Sequence, residues 1–109
     1  MKKILLSHGH RRQKDSKEYE ATWLPLVKLW SEKAGIKYEI INGFHFEDYK
    51  CAIDQLGADE GEFYMLGKTI MQKLVYCDVI VFLGDWHNYR ECLIELEIAK
   101  RYGKEVAFF

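Results

Sequence analysis

Cysteine is scarce in this chain and carries no pattern. Cys51, Cys77 and Cys92 show no C-x-x-C spacing. An odd count with no leader-like opening leads us to expect reduced thiols in a cytoplasm. Net charge is nearly lacking too: 16 Lys and Arg oppose 17 Asp and Glu, leaving −1. A general nucleic-acid binder is usually strongly basic, so no nucleic-acid partner is expected. No apolar run approaches the length of a bilayer span, which excludes a helical membrane segment. Internal repeats, low-complexity tracts and linkers are missing, so residues 1–109 read as one domain.

What is present is core-forming material. Apolar residues make up 49% of the chain and aromatics 15%, enough for a single folded core. Ile4, Leu5 and Leu6 mark a first strand ending at Ser7. Tyr19, Trp23, Leu26, Val27, Trp30 and Ala34 recur at helical spacing over residues 16–33, and this stripe reads as core. Pro25 fits if Thr22 caps the helix; otherwise it kinks it. Gly35 is the stop, and Lys37 to Ile41 read as a second strand. The pattern weakens between Phe44 and Tyr64, an aromatic and acidic stretch broken by Gly57 and Gly61. It reads as a long irregular insertion with a short helix near 48–56, serving as a lid or a partner surface. Residues 65–75 read as a helix and 105–109 as a last strand.

The stretch from Val79 to Lys104 organises the rest. Val79 to Leu83 is a continuous apolar run, rich in β-branched residues, that fits a strand covered on both faces. Gly84, Asp85, Trp86 and His87 break it. Asn88 stands three residues before Glu91, an imperfect capping box that starts a helix, and Gly103 ends it. Strands alternating with helices imply an α/β fold: one flavodoxin- or Rossmann-like three-layer domain with a parallel sheet of about four strands, ordered 2-1-3-4. In such a sheet, ligands bind at the carboxyl ends of the strands, at the switch point between the first and third.

Glu95 is out of place on that last helix. Cys92, Ile94, Leu96, Ile98, Ala99 and Tyr102 gather on one arc, with Glu95 near its middle. The cap explains Glu91; nothing in the local pattern explains Glu95. A buried acid meets a partner or lines a crevice poised for chemistry. Ser7-His8-Gly9-His10-Arg11-Arg12, directly after the first strand, is a basic loop suited either to solvent or to an anion such as phosphate. His8 and His10 form an H-x-H pair, but His45 and His87 have no metal-like spacing to them, and no metal site is expected.

Several of these residues resemble the nucleoside 2-deoxyribosyltransferase superfamily, in particular its small phage and bacterial branch. They are Met1-Lys2-Lys3-Ile4, Cys77-Asp78, Gly84, Trp86, Glu95, Ala99 and Gly103-Lys104. The resemblance covers about a third of the chain well and extends thinly to the first strand. It implies a nucleoside or nucleotide as ligand, and Glu95 as a nucleophile that displaces the base and forms a glycosyl ester. It places an auxiliary acid at Asp85 and a stacking group at Trp86; beside these, Gly84, Tyr89 and the basic loop Ser7, His8, Gly9, His10, Arg11 read as the ligand-binding residues from their place at the strand ends. It implies no cofactor, and a homo-oligomer in which neighbours complete each site. The chain departs from the family where a first-strand Tyr is usual, here Leu5. It departs again where Ser and Gly are usual six and four residues before the Glu, here Tyr89 and Glu91. Those departures leave open a non-catalytic nucleotide-binding or sequestering module on the same fold. A partner-binding domain would instead expose an apolar patch around Phe44, Phe46 and Tyr49.

Overall fold

A computed structural model of the chain describes residues 1–9, 16–41, 43, 44 and 46–109. Its strands are β1 (Lys2–Ser7), β2 (Tyr38–Ile41), β3 (Val79–Phe82) and β4 (Glu105–Phe108). Its helices are α1 (Ser16–Ala34), α2 (Phe46–Leu56), α3 (Ala58–Gln72) and α4 (Arg90–Arg101). The sheet runs β2-β1-β3-β4 and every pairing is parallel. This is the α/β architecture and strand order that the sequence pattern implies. No described helix is long and apolar enough to cross a membrane.

Strand alternation assigns the two faces. Ile4 and Leu6 of β1 join Val79, Val81 and Leu83 under α1, whose Tyr19, Trp23, Val27 and Trp30 cover them. Leu5, Ile80 and Phe82 point the other way, into Leu74, Cys92 and Ala99 beneath the α3 end and α4. The chain moves outward from β1 in both directions. With right-handed crossovers, α1 must then fall on one face and the later helices on the other. All four residues of β3 have 0% exposure. Each such side chain contributes about 1.5–3 kcal/mol of burial free energy, which makes β3 the anchor of the core.

Several expectations are corrected. Residues 44–64 are not an irregular insertion: most of them belong to α2 and the first half of α3, which pack closely on each other. The two glycines that broke the pattern are the reason. Gly57 takes φ +92° at the turn between the helices. Gly61 lies so close to α2 that a Cβ would stand 2.7 Å from the Ile53 backbone. The expected helix at 65–75 therefore begins at Ala58 and stops at Gln72. Of the patch expected around Phe44, Phe46 and Tyr49, Tyr49 is buried and Phe44 packs beside it under Lys68 and Lys73, and the Phe46 side chain lies outside the described residues. In α1, Pro25 sits inside a continuous helix, and Thr22 bonds back to the Glu18 carbonyl rather than capping.

Gly61→Ala is expected to lose roughly 1–3 kcal/mol in urea unfolding, as overpacking does. Gly67→Ala, in the same helix with nothing within 4 Å of the new methyl, is expected to gain roughly 0.5–1 kcal/mol. Equal effects at both positions would contradict the close α2–α3 contact.

Candidate functional site

The carboxyl ends of β1 and β3 meet at the switch point. β1 ends in two polar residues, and alternation sends them to opposite faces. Ser7 points toward α4 and donates from Oγ to Glu95 Oε2 at 2.9 Å, with Cys92 Sγ at 3.4 Å. His8 points toward α1, where Nε2 lies 2.9 Å from Glu20 Oε1. Its ring also meets Tyr19 at 4.9 Å between centroids, and Nδ1 lies 3.3 Å from the Gly9 carbonyl. His8 is thus built into the α1 face, on the other side of the sheet from Glu95. His10 and Arg11, the other members of that loop, lie outside the described residues.

Glu95 is 4% exposed. Burial raises its carboxyl to about 7, the Ser7 hydroxyl opposes that shift, and the charge of Glu91 adds to it. Two of its neighbours, Tyr49 and Cys92, stay protonated. Tyr49 reaches the same region from α2, and its phenol is pushed up by burial and then by the Glu95 charge. The Cys92 thiol is raised for the same two reasons, so it is no thiolate nucleophile. Nothing in the weak pattern around Tyr49 marked it as a site residue.

Glu91 was also missed, because the capping box explained it away. The cap does not form: Asn88 lies in a short 3-10 turn, Tyr89 holds the N-cap position, and no side chain caps the helix. Glu91 is instead buried, 2% exposed, with no hydrogen-bond partner for Oε1. The buried seam of α4 is Glu91, Cys92, Glu95 and Ala99. Ile94 and Tyr102, expected on that seam, are exposed. Arg90, just before it, turns away and ties α4 to Glu62 and Asp59 of α3.

The turn after β3 is placed by Gly84. It takes φ +59°, and a Cβ there would stand 2.2 Å from the Tyr19 hydroxyl. Asp85 is exposed on this turn. Its charge acts on Tyr19, whose phenol is raised by burial first and Asp85 second; no described hydrogen bond joins Asp85 to Glu95. Trp86 is half-buried and packs with Phe82 and Phe108, at 5.1 and 5.2 Å between centroids. Tyr89 lies flat on Gly9, where a Cβ would stand 2.2 Å from its ring. The close approach that Gly9 permits is therefore used by Tyr89. Comparison with protein-family models, curated proteins and solved structures returns no match.

The shifted acid has a stability signature. Between its ordinary range near 4.5 and about 7, the native state binds more protons at Glu95 than the unfolded chain does. The stability of this group is full at low pH and falls as pH rises through that window, by about 3 kcal/mol in all. Glu95→Gln, which keeps an acceptor for Ser7, is expected to be more stable than wild type at pH 8 by about that amount. Near pH 4.5 the advantage should vanish. Urea unfolding at the two pH values checks this, and a difference independent of pH would contradict the buried titrating carboxyl.

Proposed function

We propose that this protein cleaves or exchanges the N-glycosidic bond of a nucleoside or nucleotide, in the manner of a deoxyribosyltransferase or nucleotide N-glycosidase. The observation that carries the reading is the Glu95 carboxyl, buried at the switch point and held by Ser7 Oγ at 2.9 Å. In this scheme the Glu95 carboxylate attacks the anomeric carbon. The base leaves with the electron pair of the broken C–N bond, and a glycosyl ester forms. A second base or water then attacks the same carbon and the ester electrons return to Glu95.

Burial leaves the carboxylate poorly solvated and titrating near neutrality, which suits a nucleophile. The Ser7 bond favours its ionised form and fixes its direction. The phenol of Tyr49 is close enough to respond to the Glu95 charge, while Leu5, where the family usually has a first-strand Tyr, supplies no hydroxyl. Trp86 and Phe108, packed on the buried Phe82 at the same end of the sheet, offer a base an aromatic surface. Asp85 remains the auxiliary acid, acting on the ligand and not on Glu95.

One observation favours the second reading, a non-catalytic nucleotide-binding or sequestering module. Glu95 is almost wholly closed, and Tyr89 is packed onto Gly9 beside it. Incubating wild type and Glu95→Ala with a panel of nucleosides and nucleotides, and following free base by chromatography, separates the two. Catalysis predicts release by wild type and a loss of roughly three orders of magnitude or more in the variant. It also predicts a rate that climbs as pH rises through about 7, with the climb displaced to higher pH in Ser7→Ala. No release, together with a nucleotide-induced rise in melting temperature, would establish the module instead.

A further inference from the structure

Glu91 is the acid that this chemistry does not use. It sits in the first turn of α4, where free backbone N–H groups and the helix dipole ordinarily attract an anion. Here that turn carries a carboxylate of the chain itself, which makes no capping hydrogen bond. The residue is 2% exposed, its Oε1 has no hydrogen-bond partner, and no described cation pairs with it. Glu95 follows one turn later on the same buried seam, which sets the two Cβ atoms about 5–6 Å apart. The Glu91 charge raises the Glu95 carboxyl, and both acids raise the Tyr49 phenol and the Cys92 thiol.

A buried carboxylate without a donor is costly, and a ligand that brings an O–H or N–H relieves the cost. A phosphate brings only acceptors and more negative charge. We propose that Glu91 makes this a site for unphosphorylated nucleosides. It accepts a hydrogen bond from a hydroxyl of the sugar whose anomeric carbon faces Glu95, and it repels a 5′-phosphate. The identification of the ligand as a nucleoside rests on the glycosidic reading above; the preference for a neutral donor over an anion rests on Glu91 itself.

The test compares 2′-deoxynucleosides with their own 5′-monophosphates, on wild type and Glu91→Gln. Base release gives kcat/KM for each, and melting temperatures with and without ligand give binding. Wild type is expected to favour the nucleoside by roughly a hundredfold or more, as juxtaposed like charges require. Glu91→Gln is expected to reduce that ratio at least about tenfold, mainly through a lower KM for the monophosphate. A wild type that accepts monophosphates equally or better overturns the proposal. So does a folded Glu91→Gln protein with an unchanged ratio. If Glu91→Gln does not fold, the wild-type ratio alone decides. If no substrate releases base, the glycosidic reading fails, and the melting shifts still judge this one. A shift with nucleoside only supports it; a shift with monophosphate, or with neither, overturns it.

Discussion

The hydrogen bond from Ser7 to Glu95 is the contact around which the switch point is built. It joins the last residue of β1 to the second turn of α4, across 88 positions of sequence. A carboxyl at 4% exposure is unfavourable in its charged form, and one hydroxyl offsets only part of that. An apolar residue on the same seam, between Cys92 and Ala99, would pack without that cost. The position therefore weakens the fold where a simpler residue would strengthen it, as functional sites do.

The same constraint is mirrored on the other side of the sheet. Strand geometry sends Ser7 and His8 to opposite faces, and each meets a glutamate from the helix covering that face: Glu95 of α4 and Glu20 of α1. A one-residue slip of β1 would exchange them, and with them Leu5 and Leu6, whose surroundings are different cores. Register here is thus specified by apolar packing and polar pairing together. Gly84 completes the arrangement by letting Tyr19 of α1 approach the turn that leads into α4.

These relations explain what was legible in the chain. The apolar run of β3 and the alternation of strands with helices carried the sheet order, because burial and crossover handedness act on patterns that a sequence displays directly. Glu95 was visible as a charged residue on an apolar arc. Tyr49 and the Glu20 partner of His8 were not, since each is defined by a contact between elements far apart in sequence. Gly57 and Gly61 misled for a different reason. A glycine demanded by a turn and one demanded by helix contact look the same as two breakers until the helices are packed.

Glu91 is the most instructive of the misreadings. A glutamate three residues after asparagine, at a helix start, matches a capping box, and that local motif absorbed the residue completely. In the fold the Tyr89 ring lies on Gly9 and Tyr89 itself takes the cap position, so the helix begins later and Glu91 turns inward. One tertiary contact thus converts a surface cap into a second buried acid beside the first. The Glu91 charge adds to the cost of charging Glu95, and a core built for stability alone would shed at least one of the two. What distinguishes the pair is their partners. Glu95 has a hydroxyl that orients it, whereas Glu91 has an oxygen with none. An oriented acid and an unsatisfied acceptor thus stand one turn apart on the buried seam of α4, at the carboxyl edge of the parallel sheet.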